Sequence, residues 1–190
     1  MADTMQPMAG NARGAAWRSW LGIVAIVLGV LLVAVHGTEW TRQHVFAIAA
    51  PASGELPPAE CPEDELIEEG LSVAECEQLV SNVRSYLVSA PEWFPGLMTA
   101  LSAFGTILAF VSIVVGAGLV DHRAWAATVA VPVFGGLALI DAVAFIGAIN
   151  AGPILRGLYL WNHLQWFVVH MMMTVGAVAG RAASTAEITR

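Results

Sequence analysis

Apolar residues run along this chain in long, nearly unbroken stretches. Four of them reach the roughly 18 residues that mark a helix able to cross a bilayer. They cover residues 19–37, 96–120, 124–149 and 158–180. From Leu21 to Val35 no polar side chain interrupts the first, whereas the third contains one acid, Asp141, and the fourth contains His163 and His170. Pro95 precedes the second stretch and Pro153 lies in the turn between the third and fourth. Pro132, inside the third, should kink it, because proline removes one helical hydrogen bond. The first stretch lacks a small-x-small site before His36, so no signal-peptide cleavage is expected there. The pattern predicts an all-α integral membrane four-helix bundle.

Residues 38–95 break the apolar pattern, and they are the only sizeable polar part. Eleven of the chain's acids fall here, against Arg42 and Arg84. Ala50-Pro51 through Pro57-Pro58 reads as an extended linker. Pro62 suits the first position of a short helix, Glu63-Asp64-Glu65 suit its first turn, and Gly70 ends it. Ser72-x-x-Glu75 is a capping box opening a second helix, striped with Leu71, Val73, Leu79, Val80, Val83 and Leu87 and stopping near Ala90-Pro91. The expected module is a small helical hairpin against the membrane face. Its Cys61 and Cys76 are the only cysteines, and in an exported loop they should form a structural disulfide. They are too far apart for a redox C-x-x-C and have no ligands at zinc spacing. The run Glu63 to Glu69 is a solvated helix face, or else a docking face for a cationic exported partner.

Composition narrows the class. The chain is 57% hydrophobic and 12% charged, with a mean hydropathy of +0.70. That is half the charge of an average soluble domain, and it excludes a disordered chain. A net charge of −7 argues against nucleic acid as a partner. The bias of basic residues sets orientation. All eight are arginine: Arg13, Arg18, Arg123, Arg181 and Arg190 fall on one side of the four stretches, and Arg42, Arg84 and Arg156 on the other. The side with five should be cytoplasmic, which gives an N-terminal tail over 1–18 and a C-terminal tail over 181–190, both inside. The 38–95 loop is then exported, and the expected location is a bacterial inner membrane. Trp17 and Trp20 at one end, with Trp40, Trp93, Tyr159 and Trp161 at the other, suit interfacial belts.

Ionisable groups at bilayer depth cost roughly 2.5 kcal/mol or more, so each is a functional candidate. Counting equal distances from the turn near 152–153 places Asp141 opposite Leu164 and within half a turn of His163. Tyr159, His163, Trp166, His170 and Met173 form one stripe facing it, and His36 ends the first stretch at a height similar to His163. Three chemistries fit. Asp141 and the histidines could be interhelical hydrogen-bond glue. A b-type haem could be held by His36 with His163 or His170, near Arg42 and Arg156. The third is a proton or cation path, or a copper site using His170 and Met171-Met172-Met173. Gly176-x-x-x-Gly180 allows close helix approach, within the bundle or with a partner's helix. No phosphate loop, nucleophile elbow or H-E-x-x-H motif is present, and no segment is long enough for a soluble catalytic domain.

The function expected first is a non-catalytic membrane subunit or scaffold without cofactor, docking other integral membrane subunits through helix faces and the acidic loop, in contact with lipid. The alternative is a redox or proton-handling subunit, with Asp141 proton-active and haem b at His36 and His163 or His170.

Overall fold

The computed structural model describes residues 8–49 and 61–188 and is helical throughout, with no strand among them. The proline-punctuated linker, from residue 50 to 60, lies outside the described residues. Six helices follow one another: α1 Met8–Ala49, α2 Glu63–Glu69, α3 Val73–Ser89, α4 Trp93–Val120, α5 Ala124–Asn150 and α6 Pro153–Ile188. Four are long and apolar enough to cross a membrane: α1 over Ala16–Val45, α4, α5, and α6 over Pro153–Ala183. They run alternately up and down, α1 against α4, α4 against α5, α5 against α6, and α6 closes weakly back on α1. The start of α1 and the end of α6 therefore lie on one side of the bundle and α2–α3 on the other.

The first helix is longer than the apolar run predicts. It continues through Gly37 for three more turns, so residues 38–49 belong to α1 and not to the loop. Its buried positions explain why. Gly22, Ala25, Gly29, Leu32, His36 and Gln43 repeat at alternating steps of three and four, with half-buried Glu39 filling the one gap. On α4 the matching series is Met98, Ser102, Gly105, Ala109, Ser112, Gly116 and Leu119. This is a heptad seam, built mostly from small residues. Between bilayer helices, lipid is as apolar as leucine, so close backbone approach replaces hydrophobic burial as the cohesive force. The seam shows it directly: a Cβ on Gly22 would sit 2.6 Å from the Gly116 carbonyl oxygen, and one on Gly29 2.6 Å from the Ile113 side chain. Ser112 adds a hydrogen bond to the Ala25 carbonyl at 3.3 Å.

The turns follow local rules. After α4, His122 takes a left-handed conformation (φ 57°). Arg123 N–H then bonds Gly118 C=O at 2.8 Å and His122 N–H bonds Leu119 C=O at 3.1 Å, the paired bonds of a Schellman motif. Gly152, at φ 101°, makes the corresponding reversal between α5 and α6. Pro132 lies within the continuous helix α5.

In the hairpin, Pro62 is the residue before α2 rather than its first helical position, and Gly70 caps α2 in the left-handed region (φ 71°). The α3 capping box is reciprocal: Ser72 N–H donates to Glu75 Oε2 at 2.8 Å, and Glu75 N–H to Ser72 Oγ at 3.3 Å. Cys61 and Cys76 are joined as a disulfide, their Cα atoms 6.1 Å apart. The hairpin stripe is largely open, with Val73, Leu79 and Val83 exposed.

Candidate functional site

The bundle interior is layered. Toward the chain ends, Ala25, Val115, Leu119, Phe134, Met173 and Ala177 belong to one apolar cluster. Toward the hairpin, Phe94, Met98, Ala144, Ala148 and Leu155 belong to another. Between and beside them lie buried polar side chains drawn from all four long helices: His36 from α1, Ser102 from α4, Asp141 from α5, and His163 and His170 from α6.

Asp141 is the hub. Its Oδ2 lies 2.6 Å from His170 Nδ1, and its Oδ1 lies 3.5 Å from His163 Nδ1. An ionised carboxylate only accepts, so each histidine bonds it by placing its ring proton on Nδ1. The Nε2 atoms of His163 and His170 are buried without a protein partner, as is Nε2 of His36. Aromatic rings hold the two α6 imidazoles in place. Trp166 stacks on His170 with centroids 5.9 Å apart, and Tyr159 stacks on His163 at 6.0 Å and an interplanar angle of 6°. His36 is seated by a glycine: a Cβ on Gly105 would lie 2.8 Å from three atoms of the imidazole, so only a bare backbone lets the ring lie against α4.

Equal-distance counting from the turn puts Asp141 level with His163, yet the shorter contact is to His170, two turns further along. Cα–Cβ bonds tilt toward a helix's N-terminus. Asp141 on α5 therefore leans toward the chain ends, while the histidines on the antiparallel α6 lean toward the hairpin. The carboxylate meets the histidine whose backbone lies deeper.

A cavity of about 170 Å³ adjoins this cluster, lined by His36, Ser102, Asp141, His163 and Trp166 and rising past Asn162 to Glu39, Arg42 and Tyr159. At its upper end Tyr159 O–H donates to Glu39 Oε1 at 2.9 Å, Gln43 Nε2–H donates to the same oxygen at 2.7 Å, and Arg42 pairs with Glu39. Arg42 also reaches the Tyr159 hydroxyl and lies over its ring. Glu39 and Gln43 are the site residues that the apolar run conceals, because it ends at Gly37. The heptad positions of α1, continued past that glycine, are the signal that reveals them.

The remaining candidates separate. His170 is fully buried and does not line the cavity, whereas His36 and His163 both do. Among the described residues, no set of three or more His, Cys, Asp or Glu side chains is arranged to hold a metal ion. Met171 and Met172 point outward, and Met173 joins the apolar cluster toward the chain ends. Gly180 packs on Trp17, where a Cβ would come within 2.4 Å of the indole, while Gly176 has open space around it. Comparison with family models, with curated proteins and with solved structures gives no match, so the chemistry rests on this geometry.

Charge counting shows what the cluster can do. Asp141 ionised beside two neutral imidazoles leaves one net negative charge in a low-dielectric interior. One added proton, taken on Nε2 of His163 or His170, makes the group neutral overall while every Nδ1–carboxylate contact stays in place. The cluster is bordered by the polar cavity toward the hairpin and by an apolar cluster toward the chain ends.

Proposed function

We propose that this chain is a proton-handling integral membrane protein whose working centre is Asp141 with His163 and His170, and with His36 beside the same cavity. The observation carrying this reading is the buried carboxylate shared by two imidazoles at a polar cavity. Glue needs one satisfied pair. Here Nε2 of each of His36, His163 and His170 is buried without a protein partner, and a hydrogen-bonding ligand in the cavity would satisfy those of His36 and His163. The hairpin, joined by its disulfide, is assigned to the exported side, as the five arginines on the opposite side of the bundle support; the cavity then exchanges protons with the exterior of an inner membrane.

The test is nitrogen NMR of histidine-labelled protein in bilayers. Wild type should take up one proton at the α6 histidines on acidification. Asp141→Asn should fold but lose that uptake, because an amide cannot carry the balancing charge. If His163 and His170 keep one charge and tautomer throughout, they are structural and the proposal is wrong.

A second reading, membership of a larger membrane complex, has its own support. Asn162 and Gln165 are exposed on α6 within its apolar length, where a partner helix would satisfy them better than lipid. Such a subunit could still handle protons.

A further inference from the structure

We infer that the cavity, together with the α6 groove beside it, is a binding site for an isoprenoid quinone or quinol drawn from the membrane. This deepens the proton-handling reading and rests on it. A shallow, open groove runs along the outer side of α6, formed by residues of α6 alone, with Trp161, Gln165, Val168 and Val169 among them. Asn162 and Trp166 line both this groove and the inner cavity, so the two share a wall. An apolar trough facing lipid and a polar chamber behind it are what an amphiphile with a long tail and a small head requires.

The chamber's chemistry selects the head. Its volume of about 170 Å³ is near that of a cavity of about 150 Å³ that binds benzene. One six-membered ring with its oxygens fills it. Its walls include Tyr159, Trp166 and the imidazoles of His36 and His163, which suit a flat ring. An anionic head is disfavoured: among the described residues the one cation lining the chamber, Arg42, is already paired with Glu39, and Asp141 adds negative charge. Fatty-acid carboxylates and phospholipid phosphates therefore fit badly. The two unpaired Nε2 atoms of His36 and His163 call for ring substituents that hydrogen-bond. Bare, Nε2 of His163 accepts from a quinol hydroxyl; protonated, it donates to a quinone carbonyl. A quinone–quinol pair offers both an accepting carbonyl and a donating hydroxyl to that nitrogen.

The probe is decylubiquinone, titrated calorimetrically into the full chain in quinone-free lipid nanodiscs, with palmitate as competitor and Ser102→Leu to fill the chamber. The expected result is one saturable site in wild type, not displaced by palmitate and absent in Ser102→Leu. A photoreactive azidoquinone on the wild-type protein, which needs no variant to fold, should label α1 around His36 and α6 between Asn162 and Trp166. Non-saturating uptake equal in both proteins, displacement by palmitate, or labelling confined to outward faces each overturns the assignment. The histidine NMR on ligand-free protein keeps the two proposals apart. Proton uptake without quinone binding removes the ligand alone, whereas quinone binding beside histidines that never titrate removes the proton reading.

Discussion

Replacing Gly105 by alanine puts a methyl group where the imidazole of His36 now lies. The new Cβ would stand 2.8 Å from Cγ, Nδ1 and Cε1, and ordinary contact begins at 3.4 Å, so ring and backbone must separate by about 0.6 Å. Neither partner yields easily. The imidazole is a rigid plate, and α1 is pinned on α4 one and two heptads away by Gly29 and Gly22. Overpacking of this kind costs about 1–3 kcal/mol, while exchanging glycine for alanine within a helix returns up to about 1 kcal/mol. Gly37, next to His36, has nothing within 4 Å of its would-be Cβ and serves as the control. Gly37→Ala should be neutral or stabilising, and Gly105→Ala should be less stable than it by about 1–3 kcal/mol. Reversible unfolding in mixed micelles, followed by circular dichroism, measures both. Adding His36→Ala should rescue Gly105→Ala, giving a coupling within the range of about 0.5–3 kcal/mol found for touching residues. If Gly105→Ala proves as stable as Gly37→Ala, His36 does not rest on that glycine and the site geometry is wrong.

Gly180→Ala should destabilise by about 1–3 kcal/mol through the Trp17 indole, whereas Gly176→Ala should leave the monomer unchanged; a loss confined to Gly176→Ala would mean that the motif serves a partner helix instead. The Glu75 carboxyl is held below its ordinary value by the side-chain hydrogen bond from Ser72 and then by the Ser72 backbone N–H. A lowered folded-state value means that its contribution is complete above about pH 4.5 and fades as pH falls through the lower folded value. Amide exchange in the first turn of α3 should therefore accelerate on acidification in wild type but not in Glu75→Gln, and equal acid sensitivity in both would refute the capping role. Alkylation of native protein should leave Cys61 and Cys76 unlabelled. Reduction should raise amide exchange in α2 while sparing α4 to α6, because closing a loop of this length contributes about 3 kcal/mol locally; two reactive thiols in native protein would also count against an exported hairpin.

Hydropathy made the four long helices readable, because length and apolar content are one-dimensional properties that lipid imposes directly. The capping box was readable for a similar reason: Ser72 and Glu75 satisfy each other within one turn. What stayed hidden depends on pairs of helices. Gly37 resembles an end because glycine is a poor helix former, yet α1 passes through it since Gln43 and Glu39 have partners waiting on Tyr159 of α6. Asp141, His163 and Tyr159 stand out as polar residues in apolar runs, but that His170 takes the shorter bond depends on the opposite lean of side chains on antiparallel helices. Gly105 is invisible in the sequence, one glycine among 18, and acquires its role only when His36 is laid upon it.

The position of the polar layer limits what one copy of this chain can do. Polar side chains extend from Arg42, Glu39 and Tyr159 to Asp141 and His170 and then give way to Phe134, Met173, Leu119 and Val115. Thr174, one turn beyond His170, bonds the His170 carbonyl and so turns its hydroxyl back on its own helix. Within that cluster the side chains offer no onward acceptor beyond His170, and the buried Ser112 hydroxyl in the same half already donates to the Ala25 carbonyl. A transmembrane channel would require the opposite, polar groups continuing to Arg18 and Arg123. An apolar half of this kind argues against conduction along the axis of a single copy, which is consistent with the ligand site proposed beside α6.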